Sequence, residues 1–217
     1  MAQVYSFDKI EDVTIYYYGL GFIKITIGEK IIALNPPASS ALKTTRFGAD
    51  LTLVSVDLPG YNSIETTSLG EKKPAVLDSP GEYEIGGVFI RGLGSLGPEG
   101  KINIIWSIAS EDINLCHLGA LAKPELAPET KEALGEIDIL FVPTYGEDSL
   151  AAPQAHRLAT VLEPKIIVPL FYAGAGKDYL RKFLKEEGEE IKPEEKLSVK
   201  KKDLSSEESK LAVIKSF

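Results

Sequence analysis

Short runs of β-branched and aromatic residues, broken by glycine, recur along most of this chain. Val13–Tyr18, Phe22–Ile27 and Lys30–Leu34 are separated by Gly19/Gly21 and by Gly28-Glu29. The pattern predicts a meander of strands with tight turns. Leu51–Ser55 is a short apolar run suited to a buried strand. Ala75–Leu77, Tyr83–Ile85 and Val88–Arg91 follow, with Gly86-Gly87 as a hairpin signal between the last two. Ile102–Ala109 and Ile113–Leu118 predict a second hairpin through Ser110-Glu111-Asp112. Ile139–Val142 and Lys165–Pro169 are apolar runs that each follow a helical pattern.

Helical periodicity is rarer. Pro128–Leu134 opens with proline at a first-turn position and stops at Gly135. Leu150–Leu162 places Ala155, Leu158, Ala159 and Leu162 on one face, and Lys177–Glu187 does the same with Leu180, Phe183 and Leu184 before Gly188. The segment Ile191–Phe217 is rich in Lys and Glu, yet Leu197–Val199 and Leu211–Ile214 alternate with polar positions and predict a closing β pair. No fixed-period repeat or dividing linker interrupts the pattern. The expectation is a single domain over residues 1–217, with two β-rich layers and helices packed outside.

Composition narrows the class. Of 217 residues, 44% are hydrophobic and 26% charged, as in a soluble globular protein with a sizeable core. Twenty-four Lys and Arg against 32 Asp and Glu give a net charge of -8, which repels phosphate backbones and argues against general nucleic-acid binding. No stretch approaches 18 uninterrupted apolar residues, so no membrane-spanning helix is expected. The first 19 residues lack a basic region leading into an apolar run, so a signal peptide is not expected and the cytoplasm is the expected location. One cysteine, Cys116, excludes an internal disulfide framework and a cysteine-based zinc finger. Two histidines, His117 and His156, exclude a histidine-rich dinuclear metal site.

Several motifs invite a chemical reading and mostly fail it. Gly92–Gly97 spells GxGxxG, but Pro98, Gly100 and a strand follow where a dinucleotide site needs a helix, so a glycine-rich loop between strands is expected. Gly174-Ala175-Gly176-Lys177 opens a helix, yet Phe171 and Asp178 stand where a phosphate-binding loop needs Gly and Ser or Thr, leaving at most a weak anion pocket. Cys116 and His117 are strand neighbours and face opposite ways, so they cannot act as nucleophile and base; Cys116 is expected in the core and His117 toward a cleft at the strand's end. His156 is expected to be an ordinary helix residue. No Gly-x-Ser-x-Gly elbow is present. The turn Asp78–Glu84 is dense in carboxylates, and alternation puts Glu82 and Glu84 on one face.

Taken in order, these segments resemble the metallo-β-lactamase superfamily, in its branch of small, single-domain, predicted zinc-dependent hydrolases related to the ascorbate-phosphate lactonases. Tyr17–Ile25 resembles that branch's opening hairpin, and Ile32–Pro37 its strand ending in Asp-Pro. Ala49–Ser55 resembles the strand leading to the metal loop, and Asp78–Glu84 its Pro-Gly-Glu-Tyr-Glu turn. Asn114–Gly119 resembles the strand before the bridging aspartate, while Ile137–Pro143 and Leu162–Pro169 resemble the later strands. The resemblance implies an α/β fold: a four-layer αβ/βα sandwich of the metallo-β-lactamase type.

The departures fall on the metal ligands. The family's His-x-His-x-Asp-His follows the strand ending at Ser55, and there this chain reads Val56-Asp57-Leu58-Pro59-Gly60-Tyr61. Val56 and Leu58 stand for two histidines, Gly60 for the aspartate and Tyr61 for the last histidine. Ala120 stands for the bridging aspartate, Phe171 for a late histidine, Leu20 for the opening hairpin's histidine and Asn35 for the Asp of Asp-Pro. Val, Leu, Gly, Ala and Phe offer zinc no ligand, and without the metal neither an activated hydroxide nor a Lewis acid is supplied. The resemblance thus implies a metal-free, catalytically inactive homologue with a binding or assembly role, and zinc is not expected. Leu20, Phe22, Asn35, Asp78, Glu82, Glu84 and Tyr172 are the candidate pocket residues. The alternative is a hydrolase of a phosphoester or lactone with a remodelled site, in which Asp57 and His117 are the catalytic candidates and nearby carboxylates hold magnesium or calcium weakly. A small molecule, a protein or further copies of the chain are the candidate partners.

Overall fold

A computed structural model describes residues 12–38, 46–110, 112–145, 149–171, 177–187, 191–205 and 208–217. Thirteen strands among these residues form two sheets. The first contains β1 (Val13–Gly19), β2 (Phe22–Ile27), β3 (Lys30–Leu34), β4 (Leu51–Leu53), β5 (Ala75–Leu77) and β12 (Leu197–Val199), in the order β12-β1-β2-β3-β4-β5. The second contains β6 (Gly81–Ile85), β7 (Val88–Leu96), β8 (Ile102–Ser110), β9 (Ile113–His117), β10 (Ile139–Pro143), β11 (Ile166–Leu170) and β13 (Lys210–Leu211), in the order β13-β11-β10-β9-β8-β7-β6. Both sheets are mixed. Hairpins pair β1 with β2 and β6 with β7 antiparallel, whereas β3, β4 and β5, and likewise β9, β10 and β11, run parallel.

The alternation seen in the sequence sorts side chains into layers. Ile15, Ile23, Ile25, Leu34 and Leu53 of the first sheet meet Trp106, Ile108, Phe141 and Val168 of the second in one core. Strand β10 also sends Leu140 and Val142 to its other face, where helices α1 (Pro128–Leu134), α2 (Ala152–Leu162) and α3 (Lys177–Glu187) bury Leu134, Leu158 and Phe183. Burial on both faces explains why this strand reads as an unbroken apolar run. On the outer face of the first sheet Tyr18, Phe22 and Phe47 stack, with centroids 5.0 Å apart for Tyr18 and Phe22 and 5.8 Å for Phe22 and Phe47. Beside them a 3₁₀ turn over Ile64–Thr67 covers β4, where the Thr52 and Thr67 hydroxyls lie 2.9 Å apart. This is the αβ/βα sandwich expected.

Three sequence expectations need correction. Leu197–Val199 and the segment around Leu211 do not pair with each other: β12 joins β1 in the first sheet, and β13 joins β11 in the second. Alternation fixes which side chains are buried but carries no information on the partner. The glycine-rich Gly92–Gly97 run is largely strand, not loop. Gly92 sits opposite Trp106, and a Cβ there would lie 2.8 Å from the indole, so the glycine makes room for the core's largest side chain. Helix α2 begins at Ala152 rather than Leu150. Pro153 fits only a first turn, and the Gln154 side-chain oxygen accepts from the Ala151 N–H to start it.

Candidate functional site

The ends of parallel strands and one hairpin turn meet at a single edge of the sandwich. Asn35 follows β3, Ser55 and Val56 follow β4, His117 closes β9 and leads to Ala120, and Phe171 follows β11; the β1–β2 turn brings Leu20 and Gly21. In sheets with parallel strands such carboxyl ends are where ligands bind.

Short hydrogen bonds tie the edge together. The Asn35 N–H donates to the Leu53 carbonyl at 2.9 Å, and Asn35 Oδ1 accepts from the Ser55 N–H at 2.7 Å. Asn35 has a positive φ of 53°, a conformation asparagine tolerates better than most residues. The Phe171 N–H, also at positive φ (66°), is 2.9 Å from both the Leu20 carbonyl and the Tyr17 hydroxyl, and that hydroxyl donates to Leu20 at 3.0 Å. The Phe171 ring lies over Gly21, where a Cβ would come within 2.8 Å of it, and 6.0 Å from the Tyr61 ring.

His117 does not face a cleft. It is fully buried beside Phe141, with ring centroids 5.8 Å apart. Its Nδ1 accepts from the Gly119 N–H at 2.9 Å, so Nε2 carries the proton and donates to the Gly21 carbonyl at 3.2 Å. Burial pushes its pKa down to about 4, so the ring is neutral at neutral pH. Neighbouring Cys116 points the other way, into the core under the helices, and burial pushes its thiol up to about 12. Strand alternation separates the pair as expected.

Of the residues that the resemblance sets at the family's ligand positions, three are apolar and packed away from solvent. Val56, Ala120 and Phe171 are buried, Leu58 and Tyr61 are half-buried. Gly60 has open space around the position of a Cβ, so no packing constraint requires glycine there. The Ala120 N–H donates to Asn103 Oδ1 at 2.8 Å. Four side-chain polar atoms are buried and unpartnered among the described residues, and two of them, Asn35 Nδ2 and Ser55 Oγ, lie at this edge. No three His, Cys, Asp or Glu side chains among the described residues converge to hold a metal ion. The donor set does not fit zinc: Val56, Leu58, Gly60, Ala120 and Phe171 bring no nitrogen, carboxylate or thiolate, Tyr61 could ligate only as a phenolate, and both nitrogens of His117 are committed to backbone groups.

The other candidate residues divide. Asp57 and Asp78 line one cavity of about 680 Å³ beside the Val56–Tyr61 loop, together with Ser55, Lys101 and Ile102. Glu82 and Glu84 share the exposed face of β6 as alternation requires, and Glu82 pairs instead with Arg91 at 2.9 Å. Glu82 lines a second cavity of about 300 Å³ on the far face of the second sheet, where Arg91 also reaches the Ala133 carbonyl at the end of α1. Phe22 belongs to the outer aromatic cluster and Leu20 to the turn under Phe171. His156 is half-buried on α2. Tyr172 and Gly174–Gly176 lie outside the described residues. Sequence reasoning missed Asn62, five residues on in the same loop, and Lys101 and Ile102, which reach the Asp57 cavity through tertiary packing and carry no local signal.

The comparisons agree with the fold. The model of the beta-lactamase superfamily domain matches residues 14–171, and the chain belongs to that family. Its fold is that of the metallo-β-lactamases. A proposed Zn-dependent hydrolase of the metallo-β-lactamase superfamily from Thermotoga maritima is 26% identical, with a TM-score of 0.73, over 94% of this chain and all (100%) of that one. A proposed metal-dependent hydrolase from Parabacteroides distasonis is 18% identical, with a TM-score of 0.66, over 84% of this chain and 92% of that one. A metallo hydrolase from the archaeon Ignicoccus hospitalis is 14% identical, with a TM-score of 0.63, over 87% of this chain and 99% of that one. Among curated proteins no sequence matches. No helix among the described residues is long and apolar enough to cross a membrane.

Proposed function

We propose that this chain keeps the metallo-β-lactamase fold without its metal chemistry, and acts by binding a small molecule, a protein or further copies of itself. The observation that carries the reading is the replacement of the ligand positions by packed hydrocarbon. Val56, Ala120 and Phe171 are buried in the edge where the family's metal would lie, and Gly119 and Gly21 hold His117 by its two nitrogens. A metal-activated hydroxide needs ligands with free lone pairs, and a substrate needs an open edge. Here the edge is closed by Phe171 over Gly21.

The test is elemental analysis of untagged protein, with a panel of phosphoesters and lactones. Metal well below one ion per chain and no turnover are the expected results. Stoichiometric zinc that Asp57→Asn or His117→Gln removes would sink the reading. The second reading is a hydrolase rebuilt around Asp57, favoured by the meeting of Asp57 and Asp78 in one cavity. It predicts turnover that requires magnesium or calcium and is lost in Asp57→Asn.

A further inference from the structure

The far face of the second sheet carries a cavity of about 300 Å³, and no residue at the family's ligand positions lines it. Strand register lays its floor in two rows. Glu82, Arg91 and Ser107 stand side by side on β6, β7 and β8, and Phe89, Ala109 and Asn114 on β7, β8 and β9. Alternation sets all six on the face away from Ile90, Ile108 and Ile113, which fill the core between the sheets. The end of α1 supplies a wall with Ala133–Glu136. A Cβ at Gly135 would meet nothing within 4 Å, so this wall stands open.

The floor holds its one cation in place and leaves other polar groups open. Arg91 Nε donates to Glu82 Oε1 at 2.9 Å, and Nη1 donates at 2.6 Å to the Ala133 carbonyl, a helix-end oxygen that needs an outside donor. Arg91 Nη2 and Glu82 Oε2 remain as a donor and an acceptor. Asn114 meets Asp138 through its backbone N–H, which donates to Oδ2 at 2.8 Å. The Asn114 side-chain amide and the Ser107 hydroxyl, both half-buried, have no hydrogen-bond partner among the described residues. Beside them Phe89 is 58% exposed, and its ring meets no other ring among the described residues.

These groups select a ligand by its chemistry. Glu82, Arg91 and Glu136 sum to one negative charge, which repels an anion, while the guanidinium in the middle of the floor repels a cation. A neutral molecule that both donates and accepts hydrogen bonds, and that has one apolar face, satisfies all of them. A sugar ring has both features: its hydroxyls pair with amide, hydroxyl, guanidinium and carboxylate groups, and its C–H face covers an aromatic ring. The volume lies at the small end of ligand pockets, which suits a single ring.

We propose that this cavity binds a neutral pyranose, with its C–H face on Phe89 and its hydroxyls on Ser107, Asn114 and the Glu82–Arg91 pair. The inference extends the binding role proposed above to a second place on the fold, and it holds whether or not the edge takes up metal.

Titration of the full chain with methyl glucopyranosides and methyl galactopyranosides of both anomers, followed by backbone amide NMR shifts, tests it. Cyclohexanol, gluconate and glucosamine are separate arms. At least one pyranoside should saturate with a dissociation constant of about 1–10 mM, and the shifts should centre on Phe89, Ser107 and Asn114. Phe89→Ala should weaken binding by about tenfold, and Ser107→Ala and Asn114→Ala by about fivefold each. Val161→Ala should leave it unchanged, since Val161 is as exposed as Phe89 but lies on α2 and lines no part of the cavity. The proposal is overturned by a lack of saturable pyranoside binding, by shifts centred elsewhere, or by unchanged binding in Phe89→Ala. Cyclohexanol binding as well as the sugar, or gluconate or glucosamine binding more tightly, overturns it too. Zinc measured on the same preparation keeps the two readings apart. Protein that ignores every pyranoside overturns the cavity's assignment whatever its zinc content, and the zinc content alone decides the metal-free reading.

Discussion

His117 is the residue whose chemistry the fold has changed most, and the change has a pH signature. Its ordinary pKa of 6.5 falls to about 4 in the folded chain because the buried ring pays for desolvation when charged. The folded value lies below the unfolded one, so as pH falls the unfolded chain takes up this proton first. Stability from the neutral ring is therefore present above about pH 6.5, is lost as pH falls toward about 4, and is constant below. The loss from this residue is roughly 3 kcal/mol. Urea unfolding across that window should show stability falling with acidification, and the fall should be shallower by about that amount in His117→Gln. Equal slopes in the two proteins would place the acid sensitivity elsewhere. At this scale the sequence was legible in type but not in environment. It separated Cys116 from His117 by strand alternation, but the contacts that lock the ring, with Gly21 and Gly119, come from another strand pair and a turn at positive φ. Asn35 and Ser55 were likewise visible only as polar residues after strands. Their mutual hydrogen bond, and the orphaned atoms it leaves, belong to the tertiary structure.

Two glycines, one in a turn and one inside a strand, do work that their local pattern concealed. Gly21, in the β1–β2 turn, meets Phe171 at the end of β11, and a Cβ there would lie 2.8 and 3.2 Å from ring carbons. Gly21→Ala should therefore destabilise by about 1–3 kcal/mol through overpacking. The penalty should largely disappear in a Phe171→Ala background, which itself costs about 3–5 kcal/mol. A double-mutant cycle by urea unfolding measures this, and additive penalties would show that the turn and the strand end do not press on each other. Gly92, inside β7, answers to Trp106 in the same way. Gly92→Ala should also cost about 1–3 kcal/mol, with no change in nucleotide binding because none is expected. The GxGxxG spelling is thus a packing device. Its sequence context already excluded a dinucleotide site, but the strand assignment was lost because glycine weakens every local strand signal. Strand β10 was legible for the opposite reason, since its buried faces on both sides leave an unbroken run of apolar residues.

The whole molecule joins the family's fold to an edge where, among the described residues, no three His, Cys, Asp or Glu side chains converge. The order of segments made the fold readable, because each strand carries a local pattern and the family's sequence of strands is fixed. The departures from the family's metal motif were readable too, as the residues Val56–Tyr61 at the expected offset after β4. What the sequence left open was the destination of the space: hydrocarbon fills the edge at Phe171 and Val56, while an open cavity forms one loop away at Asp57 and Asp78. That arrangement predicts how the intact protein responds to metal. A chain whose folded state holds zinc gains about 4 kcal/mol when free zinc exceeds its dissociation constant a thousandfold. For a chain of this length that gain would raise the melting temperature by on the order of 10 °C. On the metal-free reading those positions bring no imidazole, carboxylate or thiolate, so adding zinc chloride to untagged protein, or stripping it with a chelator, should leave the melting temperature unchanged. Calorimetric melting with and without each addition checks it. A chelator-induced drop would mean that a donor set still assembles at the edge, and the packed hydrocarbon would then need another explanation.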